Sequence, residues 1–183
     1  MMRVLVAVLL IWINLNYAAR VRVFSPQKWE NCPQSTPMSI KMSIPESNVD
    51  TMNVSGVITV REEISGDVDF SLESSRCSLD MQKCEKYNNI NIREMCVKFK
   101  EKKSFYANIF TTISPPLSCP IKPGNYSLQD SKLDLGFFSI FPLDGYVWVV
   151  VFKLVAGEKG SKSKRTILCL NSETKVYRAI RKP

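Results

Sequence analysis

The residues best equipped for chemistry in this sequence are its six cysteines, its carboxylates and its lysines, and the chain contains no histidine. Without histidine, neither Ser-His-Asp nor Cys-His activation of a nucleophile can be assembled, and no imidazole-ligated metal site can form. A pair of carboxylates could in principle cleave a glycosidic bond. Glu62, Glu63, Asp67 and Asp69, however, stand in polar runs that read as solvated strand faces and turns. There is no G-x-S-x-G sequence and no glycine-rich phosphate loop; glycine occurs only seven times. The expectation is a protein that is not an enzyme and carries no cofactor.

The cysteines point to structure instead. Cys32, Cys77, Cys84, Cys96, Cys119 and Cys169 form an even set with no C-x-x-C spacing, which favours three disulfides over a zinc site. Six cysteines allow 15 pairings, and spacing does not choose among them. An oxidising destination is consistent with the N-terminus. Arg3 precedes an almost unbroken apolar run from Val4 to Leu15, and small residues follow at Ala18 and Ala19. That order is the order of a secretory signal peptide, placed at residues 1–19. The run is too short for a membrane span, which needs about 20 apolar residues. Residues 20–183 are then expected as one extracellular domain, with the lysosomal lumen as the alternative address.

The elements that must carry these residues follow from periodicity. Met38, Ile40, Met42 and Ile44 alternate with polar residues up to Pro45, as in a half-buried strand. Val54 to Val60 is a second strand, with Gly56 marking a bulge. Val68, Phe70 and Leu72 belong to a third. Between Ile92 and Phe110 the apolar residues fall at three- and four-residue steps, which predicts one short amphipathic helix ending before Pro115. Strands resume at Tyr126–Leu128 and at Leu133–Leu135. Tyr146 to Leu154 is the longest β run, with Trp148, Val150, Phe152 and Leu154 on one face. A polar hairpin over 157–164 leads to a returning strand from Thr166, and Val176 to Ile180 adds a last one. The pattern is mainly β, an antiparallel β-sandwich with one short helix.

Three features are candidates for function. The apolar stripe Phe99, Tyr106, Ile109 and Phe110 is either core packing or the lining of a pocket, and Trp148 is a further lining candidate. The run GFFSIFPL, residues 136–143, places Phe137, Phe138, Ile140 and Phe141 in a connection between strands. It is either a strand packed into the core or an apolar lip beside a cavity. The formal charge is +8, with lysines clustered at Lys98–Lys103 and Lys159–Arg165. A secreted protein rarely meets nucleic acid, so a solvated surface or contact with anionic lipid headgroups is expected. Asn53-Val54-Ser55 and Asn125-Tyr126-Ser127 are glycosylation sequons, at Asn53 ahead of a strand and at Asn125 in a turn.

Several of these residues fall into a family pattern. Trp29-Glu30-Asn31-Cys32 resembles the W-x-N-C opening of the ganglioside activator proteins, in the ML-like lipid-recognition superfamily. The sequon at Asn53, the seven-residue step from Cys77 to Cys84 and the block Cys119-Pro120-Ile121-Lys122-Pro123-Gly124-Asn125-Tyr126-Ser127-Leu128 are similar to theirs. The insect chemosensory branch named CheB is resembled equally. Either resemblance implies a cup-shaped sandwich around an apolar cavity that binds or lifts lipids without chemistry. It also implies the pairs Cys32–Cys169, Cys77–Cys84 and Cys96–Cys119. The activators carry eight cysteines, so one small bridge before Cys119 is missing here. The rival reading is a secreted protein-binding module, a co-receptor or inhibitor, with a filled core.

Overall fold

A computed structural model describes residues 20–45, 47, 51–101, 107–136, 141–158 and 163–180. The leader segment expected at 1–19 lies outside them, as do Tyr106, Phe137, Phe138 and Ile140. The described elements are β1 (Arg20–Asn31), β2 (Met38–Ser43), β3 (Thr51–Val60), β4 (Asp67–Cys77) and β5 (Cys84–Ile92). They continue through α1 (Met95–Lys98), α2 (Ala107–Thr111), β6 (Ile113–Ser114), β7 (Gly124–Asp134), β8 (Tyr146–Gly157) and β9 (Arg165–Ile180). They form an antiparallel five-stranded sheet, ordered β1-β9-β8-β4-β5, and a four-stranded sheet, ordered β2-β3-β7-β6. The expected disulfide-stabilised antiparallel β-sandwich is what the chain forms. No helix among the described residues is long and apolar enough to cross a membrane.

Period-two patterning accounts for the four-stranded sheet. Met38, Met52, Val54, Ile58, Val60, Tyr126 and Leu128 turn one way and are buried. Thr51, Asn53, Asn125 and Val57 turn the other way and are exposed. The bulge expected at Gly56 is present, because the β3–β7 register shifts between Val54 and Gly56. Only glycine fits there: a Cβ would lie 2.4 Å from the Lys41 carbonyl oxygen.

Three expectations are corrected. The stripe over 92–110 is not one helix. Ile92 closes β5, the chain turns through Glu94 with φ 56°, and two separate short helices follow, of four and five residues. Helices this short do not hold themselves. They are held by packing, α1 on β4 and α2 on β7, and by the Cys96–Cys119 bridge. The pieces at Tyr126 and Leu133 belong to one strand, β7, and those at Thr166 and Val176 to one 16-residue strand, β9. Asn53 lies inside β3, and Asn125 is the second residue of β7 rather than part of a turn.

The sheets approach each other most closely where β2 meets β1 and β9. There the Asn31 side chain pairs with both polar groups of the Ile40 backbone, accepting from its N–H at 2.9 Å and donating to its carbonyl at 2.8 Å. This satisfies a stretch of the free edge of β2. On the far side the 92–119 segment bridges from β4 and β5 to β6 and β7.

Candidate functional site

Cross-strand pairing fixes which side chains of the five-stranded sheet face the second sheet. Opposed residues share a face, so Val68 and Ala156, Phe70 and Leu154, Leu72 and Phe152, and Arg76 and Trp148 form successive rows. The rows continue through Leu168, Leu170, Ser172 and Val176 of β9 to Asn31, Trp29 and Phe24 of β1.

Packing along this face is uneven. At one end Phe24, Trp148 and Val176 are buried in the core, and at the other Val68, Ala156 and Ile167 are. Between these ends Trp29, Phe70, Leu72, Val150, Phe152, Leu154 and Leu168 stay half-buried, although they turn toward the other sheet. The two closed ends are about 26 Å apart along β8, at roughly 3.3 Å per residue. In the same stretch Leu170 and Ser172 are buried, and Phe70, Val150, Leu154 and Leu168 pack against the core. Three aromatic rings lie along it. Trp29 stacks on Phe152 with centroids 5.8 Å apart and planes at 19°, and Phe70 meets Phe152 at 6.2 Å. A closed sandwich would bury such a row as deeply as it buries Ile58 and Leu128 opposite.

The stripe candidates divide. Phe99 is buried in the core and packs on Phe110 at 4.9 Å; Ile109 and Phe110 are partly buried against the same core. Trp148 is core as well, and its indole N–H donates to the Leu143 carbonyl at 2.9 Å. Of the GFFSIFPL run, Phe141 is half-buried at the Trp148 end of the sheet. Its carbonyl accepts a hydrogen bond from Arg22 at 3.2 Å.

The three residues after Pro142 anchor this connection. Asp144 accepts from Arg22 at 2.7 and 3.1 Å and from Arg178 at 2.9 Å. Gly145, at φ 84°, donates to the Val176 carbonyl. The Arg22 hydrogen bond holds the Asp144 carboxyl below its ordinary range against the opposing effect of partial burial, and Arg178 adds to it. A carboxylate depressed in this way stabilises the fold above its unfolded pKa, about 3.9, and that contribution disappears as pH falls through the lower folded value. With Asp144 about a quarter exposed (24%), Asp144→Asn is expected to lower stability at neutral pH by about 1 kcal/mol. The difference from the parent should vanish in strong acid, as read by urea unfolding across pH. A difference that persists unchanged in acid would show that the ion pairs contribute nothing.

Beside this anchor the Arg76 guanidinium lies over Tyr146 at 4.7 Å and over Tyr87 at 5.9 Å, and pairs with Glu85 at 3.0 Å. The described members of the basic clusters lie elsewhere. Lys164 pairs with Asp69 and Arg165 with Glu62, both at the opposite end of the sheet from Phe141. Lys98 follows one turn after Glu94, whose N–H donates to Asp69. Both sequon asparagines are exposed on the outer face of the four-stranded sheet, where Thr59 donates to Asn125 at 2.9 Å.

All six cysteines are bridged, Cys32–Cys169, Cys77–Cys84 and Cys96–Cys119, in the pairing that the resemblance implies. Three disulfides fit an oxidising compartment. The chain matches no protein-family model and none of the curated proteins. The class that fold and site define is therefore a disulfide-stabilised antiparallel β-sandwich with a half-covered aromatic floor.

Proposed function

We propose that this is a secreted, non-enzymatic lipid-binding protein that holds a lipid or other apolar ligand between its two sheets. It would act as a carrier or presenter, in sphingolipid turnover or in chemosensory lipid perception. The observation that supports this reading is the half-buried row from Val150 to Leu154, with Phe70, Leu72 and Trp29, between two closed ends of the inner face. Such a surface is costly to leave wet and suits an acyl chain. Each buried methylene is worth about 0.8 kcal/mol, so a fourteen-carbon chain represents roughly 11 kcal/mol. A lipid leaving a bilayer gives up a comparable amount, so the carrier must offer an equally apolar interior and an apolar entrance.

The entrance in this reading is the 136–143 run, which leads to the anchored Phe141–Asp144 segment. Replacing Phe137 and Phe138 together with Ser should slow lipid transfer between vesicles several-fold while leaving the melting temperature within a few degrees. A large stability loss with no selective loss of transfer would assign both rings to closed core, since truncating a buried Phe costs about 3–5 kcal/mol. Peripheral contact with anionic membranes belongs to the same proposal, but Lys164 and Arg165 of the second basic cluster are too far away to support it. Lys164 and Arg165 are about 30 Å from the Tyr146 end of β8, several times the Debye length of about 8 Å in physiological salt.

A further inference from the structure

The aromatic floor contains one polar group without a partner. The indole nitrogen of Trp29 is buried and has no hydrogen-bond partner among the described residues. An indole N–H can only donate, and buried donors are nearly always paired in native proteins. Trp148 illustrates the rule, bonded to Leu143. The polar side chains of the neighbouring rows are bonded elsewhere. Its cross-strand row runs through Ser172, Val150 and Ser74, all short side chains. The hydroxyls of Ser172 and Ser74 donate to the Val150 and Asn88 carbonyls, respectively. On the next row Asn31 directs both ends of its amide to Ile40. The other orphan, the Asn171 side-chain oxygen, cannot help, because Asn171 pairs with Glu30 and so faces the opposite side of the sheet from Trp29.

We infer that the Trp29 indole N–H is the recognition donor for an oxygen acceptor on the bound ligand, so that the ligand is an oxygen-bearing amphiphile and not a plain hydrocarbon. The inference rests on the lipid-binding reading and narrows it. The stacked Phe152 ring fixes the indole plane, and with it the direction in which the N–H points. The acceptor would be an ester, carboxyl, hydroxyl or carbonyl oxygen. A ligand that lacks such an oxygen would leave the donor buried and unsatisfied, which is a larger discrimination than the gain from one added hydrogen bond.

The test compares methyl hexadecanoate with hexadecane, which differ chiefly in the ester acceptor, as competitors of a fluorescent fatty acyl probe. The parent protein should bind the ester about tenfold more tightly than the alkane, a ratio worth about 1.4 kcal/mol. Trp29→Phe keeps an aromatic ring on Phe152 and removes the donor, so the ester and the alkane should then compete equally well. In the 15N-labelled protein, the Trp29 indole resonance should move downfield with the ester and not with the alkane. The Trp148 indole, already bonded, serves as the internal standard. An undiminished preference in Trp29→Phe, or an indole resonance indifferent to the ester, would overturn the inference and leave the lipid reading intact. Failure of both competitors to displace the probe from the parent protein would overturn the two together.

Discussion

Replacing Cys32 and Cys169 together with Ser is expected to lower stability by about 5 kcal/mol on the chain-entropy model, as the bridge closes a sequence separation of 137 residues. A domain of this kind is stable by only about 5–15 kcal/mol, so the variant should unfold at a far lower urea concentration or fail to accumulate. The loss should be about twice that from removing Cys77–Cys84, which spans only seven residues. The long bridge also sits at a junction, because Cys32 follows the end of β1 and donates its N–H to the Cys169 carbonyl in β9. Equal losses from the long and the short bridge, read by urea unfolding without reductant, would contradict this assignment of roles.

The second large effect separates wall from core. Ile121→Ala removes a fully buried side chain of the core, and should cost about 2–5 kcal/mol of stability. Phe152→Ala removes a ring that faces inward yet is only half-buried. It should cost clearly less stability than the 3–5 kcal/mol typical of a core Phe, but weaken binding of a fatty acyl probe by tenfold or more. The ordering should therefore invert between the two assays. If Phe152→Ala destabilises the ligand-free protein as much as a core truncation does and leaves probe affinity unchanged, the floor is ordinary core.

Much of the sandwich was legible from alternation alone. Met38 to Ile44 and Val68 to Leu72 alternate apolar with polar residues, and period two finds such strands wherever burial is one-sided; Tyr146 to Leu154 is apolar on both faces and shows instead as a continuous β-branched and aromatic run. β5 escaped notice because nearly all of its residues are exposed, so it carries no hydrophobic period; the ladder to β4 and the Cys77–Cys84 bridge hold it. β1 was hidden by Pro26, tolerated because β1 is an edge strand whose register shifts between Pro26 and Lys28. The 92–110 stripe misled because residues that pack from two short helices and a turn produce the same three- and four-residue steps as one helix.

The candidate site was less legible for a different reason. The sequence places Phe152 on the apolar face of its strand, and Trp29 in a motif beside Cys32. That Trp29 stacks on Phe152 depends on the β1–β9 register, whose strands lie more than 100 residues apart in the chain, and leaves no local trace. Nor does alternation separate a buried inner face from a half-covered one, since Phe70 and Ile58 carry the same pattern signal. The aromatic stripe was a more visible clue, yet it led to Phe99, which is core.

The central claim is that the space between the sheets holds a lipid, and native mass spectrometry of the protein purified from its secretion medium tests it most directly. The expected result is a population heavier than the denatured chain by the mass of one amphiphile, released by organic solvent and identifiable in the extract as an oxygen-bearing lipid. A protein that flies only at the mass of its denatured chain, and takes up no acyl probe when lipid is supplied, would contradict it.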